Sequence, residues 1–77
     1  MSLGETRVRI SFNPSADSDV DRIKNKSAEL IDLVDRLPGP SGDDRQAYGE
    51  FRRLMALAQT AYEEAAMWAV KAATVAK

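Results

Sequence analysis

The chain has no cysteine and no histidine. Without thiols no disulfide can staple the fold, and the usual ligands of a structural zinc site are missing. The same gap removes the commonest general base, so a serine or threonine nucleophile has no imidazole to activate it. No glycine-rich phosphate loop, EF-hand loop or Walker motif occurs. No enzyme, metal site or cofactor is expected. Long apolar runs are also lacking: nothing approaches the ~20 residues of a membrane span, and Met1 to Thr6 do not have the basic start and apolar core of a signal peptide. The expected location is the cytoplasm, with no membrane partner. Neither sign of charge dominates, with eleven basic side chains against twelve acidic ones. That balance argues against a surface that tracks DNA or RNA through many phosphate contacts, and leaves room for a small anion.

Length is the next scarcity. A single domain of 77 residues barely offsets a conformational entropy of about 1.5 kcal/mol per ordered residue. With disulfides and metals excluded, oligomerisation is the remaining source of burial.

What is present divides the chain at residue 17. From Arg7 to Phe12, Val8, Ile10 and Phe12 alternate with Arg7, Arg9 and Ser11, the period-two pattern of a half-buried extended segment. Asn13-Pro14-Ser15 then turns the chain. Residues 1–17 therefore read as a short extended arm and turn. Ser18-Asp19-Val20-Asp21 fits a capping box that starts a first helix over about residues 18–37. Val20, Ile23, Ser27, Leu30, Ile31, Val34 and Leu37 recur on one side of it, opposite Arg22, Lys26, Glu29, Asp32 and Arg36. The run Leu37-Pro38-Gly39-Pro40-Ser41-Gly42 stops it.

A second helix is expected over about residues 43–76, with Asp43 as its cap. Phe51, Met55, Ala58, Tyr62, Ala65, Ala69, Ala72 and Ala76 keep a four-three spacing, the pattern of a close helix-helix seam. A second apolar line runs beside it through Leu54, Leu57, Ala61, Trp68 and Val75, more than one partner helix can cover. Two helices of about 30 and 45 Å should leave the far end of the longer one overhanging. The fold class is thus all-α: a two-helix antiparallel hairpin in residues 18–77, carrying the extended arm and assembling into a symmetric helical oligomer.

Two lysines depart from this plan. Lys24 projects from the apolar side of the first helix, either snorkelling to water or meeting an anion. Lys71 is the lone charge between Ala65 and Ala76, ion-paired to Glu63 or Glu64 of a neighbouring subunit or free for a ligand. Phe12, beside Asn13, either anchors the arm or stacks on a flat ligand. Tyr62 and Trp68 read as core, Arg52 and Arg53 as a solvated face. Of the adjacent carboxylates Glu63 and Glu64, one is expected in solvent and the other ion-paired.

Phe12-Asn13-Pro14-Ser15, Val20-Asp21-Arg22-Ile23-Lys24, Glu29-Leu30-Ile31-Asp32 and the run Ala58-Gln59-Thr60-Ala61-Tyr62-Glu63-Glu64-Ala65-Ala66-Met67-Trp68-Ala69-Val70-Lys71 resemble the hairpin domain of two kinds of phage counter-defence protein. One kind sequesters the cyclic oligonucleotide signals of CBASS immunity, the other the cyclic ADP-ribose signals of Thoeris immunity. The resemblance implies a helical hexamer in the bacterial host cytoplasm that buries a cyclic nucleotide messenger at subunit interfaces without cleaving it. It further implies that Phe12, with Asn13 beside it, stacks on a base, that Lys24 meets a phosphate, and that Lys71 belongs to the ligand-binding set. The rival reading is a structural oligomerisation module with no small ligand.

Overall fold

The computed structural model describes residues 2–8 and 18–75. Three helices follow in order: α1 (Leu3–Val8), α2 (Ser18–Asp35) and α3 (Arg45–Thr74). The described residues are all-helical apart from turns and the connection between α2 and α3.

Part of the expected extended arm is therefore helical, since Arg7 and Val8 close α1; Arg9 to Phe12 lie outside the described residues. The reason is a reciprocal capping box. Ser2 Oγ accepts from the Glu5 amide at 3.1 Å, and the Ser2 amide donates to Glu5 Oε1 at 3.2 Å, satisfying donors that a helix start otherwise orphans. A six-residue helix cannot stand alone in water, so it depends on α2. There the Gly4 amide donates to Asp32 Oδ1 at 2.7 Å.

α2 begins at Ser18, as expected, and puts Asp19 and Asp21 in its first turn, where carboxylates meet the positive end of the helix dipole. It ends in a tightened turn, with the Arg36 and Leu37 amides donating to the Leu33 and Val34 carbonyls at 3.2 Å. Gly39 then takes φ +73°, and a Cβ there would lie 3.0 Å from the Phe51 ring. Glycine thus supplies both the left-handed backbone and the close approach.

α3 is capped by Asp44 rather than Asp43. Its φ −75° and ψ 99° are extended, and its carboxylate accepts from the Gln46 and Ala47 amides at 3.0 and 3.1 Å. The antiparallel hairpin is registered by Gln59, whose Nε2 donates to the Ile31 carbonyl at 3.1 Å. Seven residues further along each helix this register sets Lys24 beside Ala66. The surplus length of α3 therefore lies mainly at its start, alongside the connection, and not at the far end as the sequence suggested.

The seam also drifts. Phe51, Met55, Ala58 and Tyr62 face α2 as expected, but Ala65 and Ala72 are exposed while Ala66 is buried and Ala73 half-buried. A straight helix slips about 20° per heptad against a strict seven-residue repeat, which moves the contact one residue onward. Among the described residues only Ala28, Ile31 and Ala66 form the buried apolar core. The surface, 5852 Å², exceeds the about 4,700 Å² that area scaling gives a compact monomer of this mass. Leu54, Leu57, Trp68 and Val75, the second apolar line of α3, are all exposed.

Candidate functional site

An open cleft of about 710 Å³ lies where the three helices meet. Its floor is apolar, made by Ala66, Met67 and Val70 of α3, with Val8 of α1 at the edge. Lys24 enters from α2, Arg7 from α1, and Thr60, Glu63, Glu64 and Lys71 from α3. The α3 residues converge because Thr60, Glu63, Glu64, Met67 and Lys71 are spaced three and four apart and share one helix face. The register then brings Lys24 over them. Lys24 and Lys71, singled out separately in the sequence, therefore line one cleft.

The charges are arranged in layers. Arg7 Nη2 bonds Glu63 Oε2 at 3.0 Å and Thr60 Oγ1 at 3.2 Å. The ion pair is only partly wet, with side-chain exposures of 26% for Arg7 and 42% for Glu63. Glu64 is exposed and accepts from Trp68 Nε1 at a long 3.4 Å. One carboxylate is thus paired and the other in solvent, as expected, with the partner supplied by the same chain. Lys71 Nζ lies 5.9 Å from the Trp68 ring centroid, a cation–π contact worth about 0.5–1 kcal/mol at an exposed site. Lys24 is half-buried and makes no ion pair among the described residues, even with Asp21 one turn away.

Trp68 does not fill the core of the chain: it is 57% exposed, while Tyr62 is half-buried in the hairpin. Six helical residues separate them, which turns the two side chains well away from one another. Phe12 and Asn13 lie outside the described residues. Arg52 and Arg53 are exposed, as expected, and Arg53 bonds Glu50. Two residues were not expected here: Arg7, which the alternation places on the polar side of an extended arm, and Gln59, a polar residue only 6% exposed. The Ser2–Glu5 capping box was the available signal that Arg7 sits on a helix. Nothing comparable marked Gln59.

Among the described residues no group of three histidine, cysteine or carboxylate side chains could hold a metal ion, and no helix is long and apolar enough to cross a membrane. What the cleft offers is an apolar floor under cations of two kinds, ammonium and guanidinium. That suits an anion with flat or hydrophobic parts.

Comparison with curated proteins and with solved structures gave no match. A family model does match: the Acb2/Tad1 hairpin domain, over residues 4–74. That span contains all of α2 and α3 and nearly all of α1. The chain belongs to the Acb2/Tad1 hairpin-domain family.

Proposed function

We propose that this chain binds cyclic nucleotide second messengers, cyclic oligonucleotides or cyclic ADP-ribose isomers, and sequesters them intact in the cytoplasm of a phage-infected bacterium. The family carries phage anti-defence binding of cyclic nucleotides at the level of its members. The observation that supports this reading for the present chain is the convergence of Lys24 and Lys71 over the apolar floor of one cleft. Ammonium groups suit phosphates, and Met67 and Val70 suit the faces of bases or ribose. The cleft volume of about 710 Å³ falls within the about 300–1,000 Å³ typical of small-molecule sites.

Two features favour holding over cleaving. Glu63 is engaged by Arg7, and the chain has no histidine to serve as the commonest general base. A sequestering protein acts by stoichiometry, and nanomolar affinity corresponds to about −12 kcal/mol. An open cleft in one chain leaves much of a ligand in water, and the exposed line Leu54, Leu57, Trp68 and Val75 fits closure by further copies into a symmetric homo-oligomer, a hexamer by the family likeness. A twofold interface would present a pseudo-twofold dinucleotide with paired copies of each lysine.

The same exposed line supports the second reading, a helical oligomer with no small ligand. Calorimetric titration with cyclic dinucleotides, cyclic trinucleotides and cyclic ADP-ribose isomers separates the two, since a ligand that binds only the native state must also raise its melting temperature. Mass spectrometry of the ligand recovered after denaturation should return it unchanged. No binding to any of the three classes leaves the structural module, and a hydrolysed ligand overturns sequestration.

A further inference from the structure

Among the described residues, Arg7 stands in the cleft with most of its donors unused. Its Nη2 serves both Glu63 and Thr60, yet a guanidinium carries five N–H donors. Among the described residues Nε and Nη1 have no partner. The side chain lines the same cleft as Lys24 and Lys71.

We propose that Arg7 is a third ligand-binding cation of this cleft, presented by α1, with Glu63 and Thr60 as the positioning residues that hold its fork. The inference rests on the cyclic-nucleotide reading. With Nη2 held by Glu63 and Thr60, the Nε and Nη1 donors can each give a phosphate oxygen a charge-assisted bond in a fixed direction, which a freely rotating ammonium does not. Because Glu63 and Thr60 already order the side chain, less rotamer entropy remains to be lost when the ligand arrives. The formal charges on the cleft, three cations and two carboxylates, show the other consequence. Glu63 stays on Nη2 and its charge opposes that of a phosphate arriving at Nε and Nη1. A weakly charged ligand therefore gains little from Arg7 and a diphosphate gains more. Arg7 thereby selects for anionic charge.

Ligand binding also becomes coupled to α1. The helix has six residues and is held to the hairpin through Gly4 to Asp32 and Arg7 to Glu63 and Thr60. A ligand gripping Arg7 adds a tie, so α1 amides should exchange more slowly in the complex.

The test titrates cyclic di-GMP and cyclic ADP-ribose into the intact assembly of wild type, Arg7→Met, Arg7→Gln and Glu63→Gln. Arg7→Met should weaken binding of whichever probe the wild type holds by about tenfold or more, the usual scale of a lost charge-assisted contact. It should also abolish the ligand-induced protection of α1 in hydrogen exchange. Glu63→Gln keeps an acceptor for Arg7 while removing the opposing charge, and should bind severalfold tighter. If Arg7→Met fails to fold, Arg7→Gln decides, since its amide can still donate to Glu63 and Thr60 without a charge. Wild-type affinity in a folded Arg7 variant overturns the inference and leaves the cyclic-nucleotide reading standing. A looser Glu63→Gln complex overturns the opposition of charge. A wild type that binds neither these probes nor any other cyclic nucleotide removes the underlying reading, and this inference with it.

Discussion

Gly4 lies so close to α2 that a Cβ built on it would stand 2.1 Å from the Ala28 carbonyl oxygen. The neighbouring atom is backbone and cannot rotate away. Replacing a helical glycine by alanine ordinarily gains up to about 1 kcal/mol, but here overpacking should cost about 1–3 kcal/mol and win. Gly4→Ala is expected to lift α1 from the hairpin and break the Gly4 to Asp32 bond. Gly49 provides the opposite sign: it sits inside α3 with nothing within 4 Å of its built Cβ, so Gly49→Ala should stabilise by about 1 kcal/mol. Thermal unfolding of both variants checks this pair, and equal effects would contradict the docking of α1.

The long helices were legible because their signals are local and redundant. Polar Ser18 and Asp19 mark the start of α2, the Pro38 to Gly42 run lies just past its end, and apolar spacing carries α3 past a glycine. The cap of α3 shifted by one residue because Asp43 and Asp44 carry the same chemistry and only backbone conformation separates them. α1 was hidden because six residues are too few to show helical periodicity, and the alternation beginning at Arg7 masked the Ser2–Glu5 box. The exposed second line of α3 was readable as surplus apolar surface. The cleft was only half readable: Lys24 and Lys71 break a pattern, but the register that brings them together rests on Gln59, a lone buried amide that leaves no periodic trace, and Arg7 joins them only because α1 docks through Gly4 and Asp32.

Gln59 should be the most sensitive polar position. Its amide is buried and donates to the Ile31 carbonyl. In Gln59→Glu an ionised carboxylate would face that carbonyl oxygen without a donor, at a cost of several kcal/mol if forced to stay charged. The protonated acid can donate instead, so burial raises the introduced group's pKa in the folded state. A raised folded pKa means the variant's folding is favoured below the range where the acid ionises and is lost as pH rises through it. Unfolding curves at several pH values should show Gln59→Glu approaching wild type in acid and diverging at neutral pH. A constant difference would place Gln59 in a less enclosed setting.

Glu50 illustrates a titration with little leverage on stability. The hydrogen bond from Arg53 holds its carboxyl below the usual carboxylate range, with desolvation opposing and the charge of Arg53 assisting. A depressed folded pKa contributes stability above the unfolded value, lost as pH falls through the folded one. Because both groups sit in solvent, that contribution should be hard to measure. Carboxyl-carbon NMR should place the Glu50 titration below that of an ordinary glutamate, and Arg53→Ala should move it up without a change in melting temperature. An unmoved titration would remove the pair.

Leu57 tests the oligomer. It is 55% exposed on the line shared with Leu54, Trp68 and Val75, and burying a leucine stabilises by about 1.5–3 kcal/mol. Among the described residues only Ala28, Ile31 and Ala66 are buried apolar core, a small core for helices of this length. Leu57→Lys should lower the mass seen by ultracentrifugation and the helix content together, and wild-type unfolding should shift upward with protein concentration. A folded monomer of wild type at micromolar concentration would sink the proposal of an obligate assembly.

Lys24 is the residue whose replacement bears most directly on function. It is half-buried on α2, lines the cleft and has no ion pair among the described residues. A cation kept partly out of water without a carboxylate is a cost to the empty protein. Lys24→Ala should therefore leave folding intact or improve it slightly, because no structural bond is removed. If the ammonium meets a messenger phosphate, each lost contact should cost about 1.5–3 kcal/mol, and a twofold site loses two such contacts at once. Affinity should then fall by at least about a hundredfold, since each 1.4 kcal/mol is a factor of about ten. Calorimetric titration of wild type and Lys24→Ala with the same cyclic nucleotides, with oligomer mass measured alongside, distinguishes the outcomes. Unchanged affinity in a folded, full-mass Lys24→Ala assembly would return Lys24 to a side chain that packs its stem on the seam and lets its head reach water.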